Sequence, residues 1–281
     1  MPERSHFAVG YKIGTWHPLM KKSSSLIVFN SLSLLFALLM NGLQGTAVFD
    51  GRTIGEVSDK YNTLIAPAGY AFSIWGLIYL MLIMFVGYQW YSYYRLKQDA
   101  EIKQTGIWLA LANIANGLWI IAWLNEALGL SVLLIFILLF SLIVLTVRLR
   151  LEIWDAPKRT IIFVWWPLVI YLGWIIVASV ANVAAWLVSS GWQGGFLSEN
   201  VWTIIMIGIA SVIYLWLVFS RNLREAAMVG VWAFAAISAR HWNEYTGIAL
   251  AAIISAGILL IVVSWHGYKN RKYSPFLSRN R

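Results

Sequence analysis

Residues 160–188 read TIIFVWWPLVIYLGWIIVASVANVAAWLV, 29 positions without a single Asp, Glu, Lys or Arg. About 20 apolar residues suffice for a helix to cross the hydrocarbon of a bilayer, so this stretch is long enough to span one. Its polar side chains, among them Tyr171, Ser179 and Asn182, are uncharged and give it no face suited to water. Seven further apolar runs flank it: 26–42, 66–92, 106–124, 128–147, 201–219, 225–240 and 245–266. The whole 281-residue chain is 60% hydrophobic and only 12% charged, too little polar surface for a water-soluble globule of this size. No series of ten-residue alternating strands occurs, so the backbone must satisfy itself within helices. The expected fold class is all-α: a polytopic membrane helix bundle with eight transmembrane helices.

Eight spans place successive loops on alternate sides, and the basic residues then segregate. Eighteen of the 21 lie on one side, including Arg4, Lys22, Arg95, Arg148, Arg150, Arg221, Arg224 and Lys269, whereas Arg52, Lys60 and Arg240 lie on the other. The positive-inside rule puts both the N and C termini in the cytoplasm and suggests the cell (inner) membrane. The net charge of +9 then reports topology and calls for no nucleic acid; the partner it implies is the lipid bilayer. Run 225–240 is the shortest, yet without it the basic tail would fall on the opposite side. Run 26–42 exceeds a signal-peptide core and reads as a retained first helix. The domains expected are a cytoplasmic arm at 1–24, a five-helix membrane domain at 25–189, a three-helix extension at 190–268 and a basic cytoplasmic tail at 269–281.

The interior lacks the usual charged machinery. Every Lys falls outside the runs, which removes a retinal Schiff base, and Asp and Glu sit in loops and at span ends, which argues against ion-coupled pumping. Cys is absent, and His6, His17, His241 and His266 supply no internal pair for axial haem ligation. No catalytic residue and no metal ligand set is assigned on these grounds, and enzyme activity ranks below binding.

What the runs do carry is amide and aromatic stripes. Asn30 and Asn41 are three turns apart on the first run; Phe72, Trp75 and Tyr79 share a face of the second. Asn113, Asn116, Trp119 and Trp123 do so on the third, and Tyr171, Trp174, Ala178 and Asn182 on the fifth. Facing inward, these stripes would enclose a cavity for a flat hydrophobic ligand with a few polar edges. The same spacing also fits amides that only bond a neighbouring helix and rings that only fill a core. The chain holds 17 Trp, more than anchoring at the bilayer interface requires.

Three other features stand apart. The loop from Asp50 through Glu56, Asp59 and Tyr61 carries three carboxylates and reads as a solvated segment that could also cover the cavity or hold a cation. Gly247, Ala251 and Ser255, with Ala226 and Gly230, permit close helix packing, within the chain before a homodimer. The turn Arg240-His241-Trp242-Asn243-Glu244 reads as an interface anchor.

At the stripes the sequence resembles the TspO/MBR family, the tryptophan-rich sensory or translocator proteins. Pro67-Ala-Gly-Tyr-Ala-Phe-Ser-Ile-Trp75-Gly-Leu-Ile-Tyr79 resembles the family's Pro…Trp…Tyr pattern, Asn116-Gly-Leu-Trp119 its Asn-x-x-Trp, and Tyr171-Leu-Gly-Trp174 with Ala178, Asn182 and Trp186 its Tyr-x-x-Trp…Asn…Trp spacing. The likeness covers about residues 26–188. Gly69, Ser73 and Ile170 stand where members commonly carry Trp or Pro, and three helices follow where a typical member stops. The resemblance implies a five-helix bundle that binds porphyrins, haem or sterols, with Trp75, Tyr79, Asn116, Trp119, Tyr171, Trp174 and Asn182 as ligand-binding residues. A porphyrin or haem is then a bound ligand and not a required cofactor. Transport of a small apolar solute and degradation of the bound tetrapyrrole are the alternatives.

Overall fold

A computed structural model describes residues 17–153, 156–192 and 194–271, with the side chains of 17–22 excluded. Most of the arm expected at 1–24, including His6, and most of the tail at 269–281 lie outside the described residues. Among the described residues every regular element is helical.

The chain runs through α1 (His17–Leu43), a short α2 (Ile54–Tyr61), α3 (Ile74–Tyr91), α4 (Ala100–Thr105), α5 (Trp108–Leu124) and α6 (Leu128–Arg148). A one-turn α7 (Lys158–Thr160) leads through a π turn at Ile161–Trp165 into α8 (Trp166–Ser189), followed by α9 (Glu199–Arg221), α10 (Arg224–His241) and α11 (Thr246–Lys269). Among the described residues, six segments are long and apolar enough to cross a membrane: Ser23–Leu43, Gly69–Leu96, Leu128–Arg148, Lys158–Ser189, Glu199–Arg221 and Thr246–Lys269. The other two runs form the shorter α5 and the more polar α10. At about 1.5 Å per residue these two measure about 25 and 27 Å, against a hydrocarbon thickness of about 30 Å.

All eight runs are helices, most with ends within a few residues of those expected; but α1 begins nine residues earlier, at His17, α3 begins eight residues later, at Ile74, after a 3-10 turn at Gly69–Ser73 that carries Phe72, and α8 begins at Trp166 after the π turn. Two short helices, α2 and α4, interrupt what read as loops. α2 has a clear local cause. Thr53 caps it by accepting from the Glu56 amide while Glu56 accepts from the Thr53 amide, and Asn62 ends it in a left-handed conformation at φ 43°.

α8 is the hub, packing against α3, α6 and α10, while α1 packs against α5 and α3. Small residues set the close approaches. At Gly117 an added Cβ would collide with the Phe36 ring of α1, and at Gly173 it would come within 2.9 Å of the Ala226 backbone of α10. The Tyr214 hydroxyl of α9 donates to the Gly173 carbonyl at 2.7 Å, and the Tyr214 ring lies over Gly230. The extension is thereby fastened to α8 through α10. α11 meets its neighbours through Ile248, Ala249, Ala252, Ala256 and Leu259; Gly247, Ala251 and Ser255 fall to one side, and Gly247 is exposed. By contrast α9 touches α8 at few positions.

The outward surface is apolar. Leu32, Leu35, Phe140, Val212, Ile254 and Ile261 are all more than half exposed, an arrangement water would oppose and hydrocarbon accepts. The protein is an integral membrane protein whose helices contact lipid.

Candidate functional site

All seven residues that the resemblance implied as ligand-binding are buried, none more than 5% exposed. α3 contributes Trp75 and Tyr79, α5 Asn116 and Trp119, and α8 Tyr171, Trp174 and Asn182. Trp75 sits in the middle. Its ring stacks on Tyr79 at 5.5 Å between centroids, lies 5.9 Å from Trp119, and meets Tyr171 and Trp174 edge-on at 6.0 and 6.4 Å. Phe72 stands edge-on to Trp174 at 5.9 Å, and Trp119 stacks on Trp123 at 5.8 Å.

Polar bonds fix this cluster. The Tyr79 hydroxyl donates to Asn116 Oδ1 at 2.8 Å. Trp119 Nε1 donates to Asn182 Oδ1 at 2.7 Å, and Asn182 Nδ2 donates to Ser131 Oγ at 2.7 Å, joining α5, α8 and α6. Both amide oxygens are thus occupied, and the surplus is three N–H donors and one hydroxyl that can donate or accept. Trp75 Nε1, Trp174 Nε1, Asn116 Nδ2 and the Tyr171 hydroxyl are buried without a hydrogen-bond partner among the described residues; the hydroxyl nears the Asn116 side chain without completing a bond. An unpaired buried donor costs about 1–3 kcal/mol. Four in one cluster are large beside a typical folding stability of about 5–15 kcal/mol.

The stripes do not all serve this centre. Asn30 donates to Gln89 Oε1 at 3.0 Å and Asn113 to Ser33 Oγ at 3.2 Å, which ties α1 to α3 and α5. Asn41 accepts from Gln44, and Trp186 is 40% exposed. Nor is the hollow open. Between Trp75, Trp119, Trp123, Trp174 and Asn182 it measures about 30 Å³, room for a water molecule, because the rings pack against one another. A vestibule of about 340 Å³ adjoins it, lined by Gln44, Thr53, Glu56 and Asp59 and sharing Ile54, Phe72 and Trp75 with the hollow.

Between the two stand the shared side chains Ile54 of α2, Phe72 and Trp75; α2 itself was missed in the sequence although Thr53-Ile-Gly-Glu56 is a capping-box signature. Trp123 Nε1 donates to the Ile54 carbonyl at 3.1 Å. Glu126, in the α5–α6 turn, takes Lys60 Nζ at 2.5 Å, the Tyr61 hydroxyl at 2.6 Å and Arg52 at 3.3 Å. These partners hold the Glu126 carboxyl below its ordinary range, while burial, and then the neighbouring carboxylate, push the Tyr61 hydroxyl up to about 12. The three loop carboxylates, expected to be solvated, are exposed, and each also has a protein partner: Asp50 pairs with Arg52, Glu56 caps α2 and Asp59 pairs with Arg240. Arg240, expected only as part of an interface anchor, is a strap from the extension. It also reaches Asn62 Oδ1 and the Pro67 carbonyl.

A helical membrane protein with an aromatic, donor-rich centre behind a strapped loop helix is the class these features define. Comparison with protein families matches residues 27–265 to the family described as TSPO-like protein. The chain belongs to that family, and the match runs on through α9, α10 and most of α11. Comparison with curated proteins and with solved structures gave no match.

Proposed function

We propose that the protein binds a flat, hydrophobic, acceptor-bearing ligand of the tetrapyrrole or sterol kind at the Trp75 centre. The observation that carries this reading is the cluster of unpartnered donors, Trp75 Nε1, Trp174 Nε1, Asn116 Nδ2 and the Tyr171 hydroxyl, which a carboxylate or carbonyl edge would satisfy. Rings from three helices supply stacking surface in a low-dielectric site. The hollow admits no such guest as packed, so binding needs α2 to shift and join the vestibule to the centre. Membership of the family supports the ligand class, and sensing or facilitated transport would follow from the same opening. We further read eight transmembrane helices, counting α5 and α10, with both termini in the cytoplasm, in the cell membrane.

Titration of the detergent-purified chain with protoporphyrin, followed by tryptophan quenching, tests the reading. Quenching should saturate at micromolar ligand. Trp174→Phe, which keeps an aromatic ring and removes one donor, should weaken binding about tenfold, the scale of one hydrogen bond to a charged group. No quenching in the parent chain, or quenching indifferent to Trp174→Phe and Asn182→Ala, rejects it.

A further inference from the structure

A cavity far larger than the hollow or the vestibule lies away from the aromatic centre. It is a trough of about 1210 Å³ between α6, α8 and α9, lined by Ile143, Leu172, Ile176, Val180, Met206 and Ile213 among others. It opens sideways, since Phe136, Val147 and Trp216 on its walls are about half exposed and α9 barely touches α8. It follows α9 from Glu199 to Arg221, about 33 Å of helix, the full depth of a bilayer core. Water has almost nothing to bond to along these walls, so an apolar chain is the fitting occupant.

The two ends differ. At one end stand Trp192 and Trp202; at the other stand the Thr146 backbone and Arg221. Arg221 Nη2 donates to the Thr146 carbonyl at 3.3 Å, and its Nε is buried without a partner. No carboxylate among the described residues pairs with this guanidinium. Arg148 closes α6 and Arg224 opens α10 at this same end of the bundle. A guanidinium without a carboxylate partner at the end of an acyl-sized trough matches a phosphate oxygen with a hydrocarbon chain below it.

We propose that the α6/α8/α9 trough is a structural site for one anionic phospholipid, its phosphate on Arg221 and an acyl chain along Val180 and Met206. This site is distinct from the Trp75 centre, and α9, which lies beyond the five-helix core, builds one wall of it.

Native mass spectrometry of the full chain, equilibrated with equal amounts of phosphatidylglycerol and phosphatidylcholine of identical acyl chains, tests this. One phosphatidylglycerol should remain bound after surrounding lipid is stripped. Arg221→Gln should lower its retention about tenfold, as expected for losing a charge-assisted contact, and Arg221→Lys should restore part of it. Val180→Trp, which fills the trough, should abolish retention of both lipids while near-ultraviolet dichroism shows the fold intact. Equal retention of the two lipids, indifference to Arg221→Gln, or retention in a folded Val180→Trp chain overturns the proposal. Displacement of the lipid by protoporphyrin would also overturn it, by assigning the trough to the other ligand. Porphyrin quenching at the Trp75 centre should be unaltered by these variants, so the two sites fail or stand separately.

Discussion

Arg240 Nη1, at the end of α10, lies 2.5 Å from Asp59 Oδ1 on α2, so the helix that places Ile54 between vestibule and hollow is strapped by the extension. Arg240 is largely covered but Asp59 is 55% exposed, which limits the pair to about 0–1 kcal/mol. Arg240→Gln should therefore leave the global melting temperature nearly unchanged and loosen α2 alone. Hydrogen exchange should rise several-fold at Ile54–Tyr61 and stay constant across α8. Combining it with Glu126→Gln, which frees the other anchor, should raise exchange further; protection unchanged in the double variant would show that neither contact holds α2.

Asn182 is the junction of three helices, taking Trp119 and giving to Ser131. Asn182→Leu keeps the branched outline, in a bulkier form, and strands the indole N–H. The expected cost is about 1–3 kcal/mol, the penalty of an unpaired buried group. Unfolding in mixed micelles measures it, and a cycle with Trp119→Phe isolates the coupling. Additive effects in that cycle would mean that the bond contributes nothing to stability.

That Trp75 shares a face with Tyr79, Asn116 with Trp119, and Tyr171 with Trp174 was legible because helical periodicity is local: three and four residues along the chain return to one face. α2 was equally local, through Thr53 and Glu56, but its short hydrophilic sequence reads as loop beside the long apolar runs. The closure of the hollow was not legible. It depends on Phe72 and Trp174 meeting edge-on from different helices, and spacing within each helix says nothing about that distance. The trough arises in the same way, from α9 standing off α8 while Tyr214 still reaches Gly173. Which face Asn30 and Asn113 would serve was also a tertiary matter, settled by Gln89 and Ser33 on neighbouring helices.

Gly173 and Gly76 offer a matched pair. Both are helical, but a Cβ at Gly173 would press on the Ala226 backbone at 2.9 Å, while at Gly76 it meets nothing within 4 Å. Gly173→Ala should destabilise by about 1–3 kcal/mol through forced separation of α8 from α10. Gly76→Ala should be neutral, or stabilise by up to about 1 kcal/mol through helix propensity. Thermal unfolding of both variants decides; equal melting temperatures would contradict the close α8–α10 contact.

Glu152 lies beyond α6, where its backbone carbonyl accepts from Asn222 in the α9–α10 turn at 3.0 Å. Burial, and then the nearby Glu225 carboxylate, push its carboxyl up to about 8, only partly offset by Arg224. A carboxyl whose folded value lies above its unfolded value binds its proton more tightly in the folded state. Its neutral form therefore favours folding, and stability falls as pH rises from the ordinary value of 4.5 through about 8. Over that window the melting temperature should drop as a like-charged pair develops between the α6–α7 segment and the extension. Glu152→Gln removes the titrating group, keeps the side-chain shape and leaves the carbonyl bond to Asn222 in place. The variant should flatten this slope and match the parent chain at the acid end. A parent melting temperature that rises across the same window, or a slope unchanged by Glu152→Gln, would place the titration elsewhere and remove Glu152 from the contact between core and extension.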